Sequence, residues 1–475
     1  MTQSAFADRL AARRRARANA PAARRTQSIN ALERTALLGG MAVLLLLNIA
    51  LIGLKVGPLP VRAALAVAFL GLATLQYPAA FRHALGRQSG LVWLAILLAA
   101  LGTFVSLINR APAPVIIGSL IEVHLQIIVT VLLATMVAHL CGARPVLLTV
   151  AAVVGLSALV ALVQFAGAGW AWQIRETLGQ IQGQNMAEVK YFLKGRPMGL
   201  SFSPIHLGTQ LCIAFAAVTI TRVGLAPGHK QRAWLDPVVV GAVLFLLVFS
   251  AVSGNRSPIL GAGIFLAFYA SRKGGAMLPA MLLGLAIFAY FLFPVLLDAM
   301  QSANLRIAQS ADRSALTRVP LVTLGWKLFL DNPLGYGFGF EPFAHWSKYW
   351  HEIYTLPGAD AVRDRDLHNY PLSMLNTYGI GLLLALPLAV LLLARSKIFL
   401  IYFIPYVIHI LFHNSGPFWN DTLIWFAIGA VSAMKLAQPD DGAPRHFARS
   451  LPGQLRLTRQ TFTKSLSQRG TMLRP

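Results

Sequence analysis

Charge is scarce in this sequence, and acid scarcer still. Of 475 residues only 12% are charged, and 41 Lys and Arg face 17 Asp and Glu. Soluble domains carry about 25% charged residues. A chain that is 56% hydrophobic is therefore not built to be wetted on every side. Cysteine is nearly absent: Cys141 and Cys212 each fall at or within an apolar stretch, which excludes a disulfide framework. A secretory signal is missing too. The first apolar run comes after a long basic stretch and lacks a small-residue cleavage site, so it reads as a first membrane helix. No internal repeat is visible, and the two halves differ in loop length, which disfavours a transporter built from repeats. No folded basic module is visible either. The net charge of +24 thus reads as a topology signal and an attraction to anionic lipid heads, with no nucleic-acid partner.

What the chain does have is long apolar blocks. Met41–Leu54 contains one polar residue, Asn48, and Val146–Ala166 contains no charge. A bilayer core demands about 20 such residues per helix, because lipid offers the backbone no hydrogen-bond partner. The expected fold class is all-α: a polytopic membrane protein of about twelve transmembrane helices. The spans fall near 36–54, 59–77, 90–108, 115–139, 146–166, 204–221, 237–253, 258–270, 276–297, 371–394, 398–413 and 421–436. The eighth, at 258–270, is short and holds the register of the later spans. Basic residues set the orientation. Both tails are Arg-rich, and Arg82, Arg87, Arg144, Arg222, Arg272 and Arg395 lie in loops that share their side. Both termini are therefore expected in the cytoplasm.

This divides the chain into a basic cytoplasmic tail (1–35), helices one to nine (36–297), a large outer loop carrying short helices (298–370), helices ten to twelve (371–437) and a second basic tail (438–475). A second outer segment covers Gly167–Ser203.

Three polar groups stand at helix ends on the outer side. Arg196 lies in Gly-Arg-Pro-Met-Gly-Leu, Arg256 in Ser-Gly-Asn-Arg-Ser-Pro, and His368 in Asp-Leu-His-Asn-Tyr-Pro. An arginine binds phosphate oxygens bidentately and keeps its charge. A histidine can take a proton from a hydroxyl. Together they suit displacement of a phosphate-type leaving group by an alcohol. Each residue alone also fits a blander role, as a snorkelling anchor or a helix cap. Other features weigh less. Gly335, Gly337 and Gly339 fit a tight turn with close backbone approach. Asp364 and Asp366 fit a solvated loop better than a cation site. His409 and His413 share a helix face and fit packing or cavity lining. Glu122 and His124 lie inside a span, on different faces.

The ordered motifs carry a resemblance. Asn-Arg-Ser-Pro-Ile-Leu around Arg256, Asp-Asn-Pro-Leu-Gly-Tyr-Gly-Phe-Gly from Asp331, and His-Asn-Tyr-Pro-Leu-Ser-Met-Leu-Asn-Thr-Tyr-Gly-Ile-Gly-Leu from His368 resemble the O-antigen ligase and O-antigen polymerase family. Gly-Arg-Pro-Met-Gly-Leu around Arg196 is similar to its upstream Arg segment. One departure is Asn255, which precedes the arginine where the family turn is often Ser-Arg with Ser or Thr before it. The resemblance implies a bacterial inner-membrane glycosyltransferase of lipopolysaccharide or exopolysaccharide biosynthesis, metal-independent and inverting, with no cofactor. Its donor would be a glycan on undecaprenyl pyrophosphate, held by Arg196 and Arg256. His368 would activate the acceptor hydroxyl, and Asn369 would orient His368 or the acceptor. The acceptor would be lipid A core for a ligase, or a lipid-linked repeat for a polymerase, on the periplasmic side. A lipid-linked glycan flippase is the alternative from another class, and it would place ionisable groups in a midplane cavity.

Overall fold

The computed structural model describes residues 29–57, 59–184, 196–224, 236–273, 316–395, 400–419 and 421–434. All of them fall in one compact unit, Met1–Met434. The predicted ninth span (276–297), most of the N-terminal tail and the C-terminal tail from 435 lie outside the described residues.

The described residues are mostly helical. Six helices are long and apolar enough to cross a membrane: α1 (Ala31–Ala50), α3 (Pro78–Ile108), α4 (Ala113–Cys141), α5 (Ala143–Phe165), the Pro204–Arg222 helix whose regular part is α7 (Pro204–Thr219), and Tyr370–Ala389. Five shorter apolar helices are Val61–Gln76 (α2), Pro237–Ser253 (α8), Ser257–Ser271, Ile401–Ile410 and Leu423–Ser432. These eleven helices overlap eleven of the twelve predicted segments, and six of them are long enough to cross. The short eighth span is the helix α9, Ser257–Lys273.

The helix starts obey local chemistry. Asn30 and Glu33 form a reciprocal capping box at α1. Ser203 and Asp236 cap α7 and α8, and each is succeeded by a proline at the first helical position. α3 departs from the sequence reading: it begins at Pro78, twelve residues before the predicted span. Arg82 and Arg87, expected in a loop, are therefore helical. The helix carries polar groups there because they find partners: the Arg87 Nε donates to the Ser432 carbonyl at 2.7 Å, and the Gln88 amide reaches Thr135 Oγ1 at 2.6 Å.

In the interior, α4 packs against α3 and against α15 (Leu423–Ser432), while α7 packs on α5 and α8. α9 lies on α14, Ile404–Ile410. A polar tie crosses this core: Asn48 of α1 accepts from Gln126 of α4 at 3.0 Å and from Thr422 at 2.5 Å. Buried polar groups must be satisfied in this way, since no water or lipid atom would do it.

The segment before Tyr370 has its own small core. Short helices α10 (Arg318–Asp331) and α11 (Trp346–Ile353) bury Leu321, Leu324, Leu328, Ile353 and Val362 together. The glycine run anchors this subdomain to the helices. Tyr336 and Gly337 donate backbone bonds to Asn376 and Thr377 at 2.7 and 3.0 Å, and Phe338 N donates to Ser106 Oγ at 2.7 Å. Gly335, Gly337 and Gly339 all have positive φ (89°, 84° and 73°), as the expected tight turn requires. At Gly337 a Cβ would sit 2.6 Å from Ser106 Cα, so the approach to α3 admits no side chain.

Candidate active site

The turn between α8 and α9 is the site's foundation. α8 ends at Gly254, in the left-handed region (φ 68°) that lets the chain reverse at once. Arg196 clamps this end. Its Nε and Nη2 donate to the Ser253 carbonyl at 3.0 and 2.8 Å, and Nη2 also reaches Gly254 O (3.1 Å) and Asn255 Oδ1 (3.2 Å). A guanidinium satisfies carbonyls that a helix C-terminus leaves open, and it meets the negative end of the helix dipole. Asn255, the departure from the family pattern, is buried. Its Nδ2 donates to Pro204 O at 2.7 Å and to Ser253 Oγ at 2.8 Å, which ties the turn to the start of α7. Arg256 comes next, exposed, and its carbonyl accepts the first bond of α9 from Leu260 N at 3.1 Å.

Ser257, one residue on, connects this turn to two histidines. Its Oγ lies 2.8 Å from His409 Nδ1 and 3.3 Å from His413 Nε2. His409 Nε2 is 3.2 Å from the Ile205 carbonyl, so Nε2 carries the proton and Nδ1 accepts from Ser257. The two rings lie 4.3 Å apart. His413 in turn stands edge-on to His368, with ring centroids 6.5 Å apart. Arg196 is thus bonded to one turn at Asn255, and two residues further along the same turn Ser257 meets His413, whose ring faces His368. Arg256 belongs to the same turn.

His368 sits on a strained backbone. Its φ is +48°, in the left-handed region that non-glycine residues seldom occupy. Its neighbours on both sides hold the strain. On the C-terminal side, Asn369 Oδ1 accepts from Leu372 N at 3.0 Å and caps α12, Tyr370–Tyr378, with Pro371 in its first turn. On the N-terminal side, Asp366 accepts from Asn414 Nδ2 at 2.6 Å. His368 Nδ1 is buried and has no hydrogen-bond partner among the described residues. Such an orphan costs about 1–3 kcal/mol, and a substrate hydroxyl would relieve it.

Burial lowers the His368 pKa to about 4, helped by the charges of Arg365 and Arg318. The imidazole is therefore neutral at pH 7, the form a base requires. Arg318 joins this cluster, and sequence reasoning missed it. It opens α10 and stacks 4.9 Å over the Phe412 ring, between the two histidines in sequence. Its charge bears on His368, His409 and His413 alike. Replacing it by Met removes a cation that disfavours imidazolium, so the His368 pKa moves upward. Histidine-ring NMR on the purified variant checks this; an unchanged midpoint contradicts the placement of Arg318.

The remaining candidates separate from this cluster. Asp364 is exposed, 3.8 Å from Arg365. Glu122 pairs with Lys55, and His124 Nε2 lies 3.3 Å from the Tyr378 hydroxyl, so the two act apart as their spacing implied. They sit in a π-helical turn, Leu120–Leu125, inside α4.

Long apolar helices, with a polar turn of arginine, asparagine and serine between two shorter apolar ones, mark a membrane protein. The model of the O-antigen ligase family matches residues 241–386 and bears out the resemblance drawn from the motifs. With the apolar helices, it gives a membrane protein of glycosyltransferase-like function, with lipid-linked glycan and acceptor as its substrates in general. The match spans Arg256, Arg318, the glycine run, His368 and Asn369, and leaves Arg196, His409 and His413 outside it. No curated protein matches the chain.

Proposed function

We propose that the chain is an inner-membrane glycosyltransferase of twelve spans with both termini in the cytoplasm and its site on the periplasmic face. The tails, spans and outer loop divide as the sequence reading has them. The donor is a glycan on undecaprenyl pyrophosphate. The observation that carries this reading is the turn Gly254–Ser257, which Arg196 clamps on one side and which meets His413, and through its ring His368, on the other.

In this reading Arg256 and Arg196 hold the pyrophosphate, and Arg318 adds positive charge nearby. The acceptor hydroxyl gives its proton to His368 while its oxygen attacks the anomeric carbon from the face opposite the leaving group. The bond from that carbon to the pyrophosphate oxygen breaks, and its electron pair leaves with the pyrophosphate. Guanidinium charge stabilises that departure without a metal ion. Bound pyrophosphate also offsets the cations that lower the His368 pKa, so the base strengthens when donor is present. Asn369 acts as a positioning residue, through the cap that holds the His368 backbone. His409 and His413 buttress Ser257 and orient the turn.

Ligase-type transfer to lipid A core is the first reading; polymerisation onto a lipid-linked repeat is the second. Deleting the gene tests both. A ligase deletion accumulates polymer on the lipid carrier and leaves the core bare. A polymerase deletion leaves a single repeat on core. Unchanged surface glycan and unchanged carrier-linked glycan would remove the transferase reading. A flippase predicts a third result, carrier-linked glycan confined to the cytoplasmic leaflet.

A further inference from the structure

A cavity of about 370 Å³ lies apart from the arginine–histidine cluster. Its wall includes Lys55, Arg62, Glu122, Phe338, Tyr378 and Trp419. These come from the α1–α2 loop, α2, the π turn of α4, the glycine run, the end of α12 and the segment before α15. The wall is mixed in a particular way: aromatic rings beside a cation–carboxylate pair and a second cation.

Arg62 is the telling residue. It is 4% exposed, and its Nε has no hydrogen-bond partner among the described residues. Among the described residues its hydrogen bond is a long one, 3.4 Å from Nη1 to Thr422 Oγ1. Lys55 and Glu122 pair with each other, so their charges cancel within the wall. Arg62 is a buried cation in the wall of a space large enough for a ligand; the carboxylates of Glu122 and Asp421 offset its charge, but its Nε keeps no hydrogen-bond partner among the described residues. Arginine is rarely buried without partners, because its donors lose water and gain nothing. A ligand that brings acceptor oxygens would complete it.

The aromatics narrow the class. An aromatic ring offers an apolar face with a negative quadrupole, which suits the C–H face of a sugar ring. The cavity also has donors in Lys55 and Arg62 and an acceptor in Glu122, which suit hydroxyl groups. A purely anionic ligand would not need the rings or the carboxylate, and a lipid chain would not need the charges.

The cavity and the candidate active site are close. One segment runs between them: His413 faces His368 at one end, and Trp419 lines the cavity at the other. Six positions of chain reach at most ~20 Å. Phe418 N donates to the Tyr370 hydroxyl at 3.0 Å, which fixes that segment against the start of α12. A glycan whose end lies at His368 could extend into the cavity.

From this we infer that the cavity walled by Lys55, Arg62, Glu122 and Trp419 is a saccharide subsite, which binds a sugar residue removed from the bond being made. The inference rests on the transferase reading for its role, and the source of the sugar is either the acceptor or the donor glycan.

The test uses the purified full-length protein in detergent. The donor probe is lipid-linked glycan extracted from cells lacking the gene, and the acceptor probe is glycolipid extracted from the same cells. Trp419→Ala and Lys55→Ala should each raise the half-saturating concentration of one probe about tenfold or more, with kcat within about threefold of wild type. A shift confined to the acceptor probe assigns the cavity to the acceptor glycan; a shift confined to the donor probe assigns it to the donor. Arg62→Gln should do the same, and Lys55→Ala, at a half-exposed position, carries the test if Arg62→Gln does not fold. Wild-type half-saturation for both probes in folded variants overturns the subsite and leaves the transferase reading standing. If the wild-type protein transfers nothing, tryptophan fluorescence decides. Quenching by the water-soluble glycan released from the acceptor or donor extract, lost in Trp419→Ala, keeps the subsite while the transferase reading falls. No quenching overturns both.

Discussion

Replacing His368 by Asn should lower glycan transfer by about 10²- to 10⁴-fold, the usual contribution of a positioned general base. Asn is chosen for the backbone. His368 has φ +48°, and Asn enters the left-handed region more readily than other non-glycine residues. The variant therefore removes the imidazole and keeps the turn that leads into α12. Restoration of surface glycan in a deletion strain, with membrane insertion and thermal stability measured in parallel, reads the effect. Transfer within about tenfold of wild type in a stably inserted variant would remove His368 as the base.

The second large effect belongs to Arg256. Arg256→Gln should lower kcat/KM for the lipid-linked donor about 10- to 100-fold, the cost of losing hydrogen bonds to a charged group. Stability should hold, because Arg256 is exposed and the carbonyl that accepts from Leu260 is kept in the variant. Arg256→Lys should recover part of the loss, since it restores charge without the planar fork. Arg196 contrasts with it. Its guanidinium already spans Ser253, Gly254 and Asn255, so a loss there loosens the end of α8 together with the ligand site. Equal kcat/KM in Arg256→Gln and wild type, at saturating acceptor, would contradict the pyrophosphate role.

Much of the architecture was legible because a bilayer writes itself into sequence. Runs such as Val146–Ala166 have one physical explanation, and α5 occupies that stretch. The start of α3 was not legible. Arg82, Arg87 and Gln88 break the hydropathy pattern, and for Arg87 and Gln88 the neighbouring Ser432 and Thr135 explain why the helix tolerates them. The site divides in the same way. His368 and Arg256 announced themselves through ordered motifs. His409 and His413 showed only that they share a face; nothing in an i, i+4 spacing says that Ser257 is what they face. Arg318 has no motif at all, and its place beside Phe412 is a tertiary fact. The cavity is the extreme case, drawn from six separate segments. Lys55 and Glu122, which meet there, are 67 positions apart.

The central claim is that sugar moves from a lipid pyrophosphate to a hydroxyl at the His368 cluster. The most direct measurement tracks both products at once in purified protein, with a chelator present and no nucleotide sugar. The account predicts one lipid pyrophosphate released for each glycan transferred, with both lost together in His368→Asn. Transfer that needs a nucleotide sugar, or that proceeds without release of lipid pyrophosphate, would contradict it.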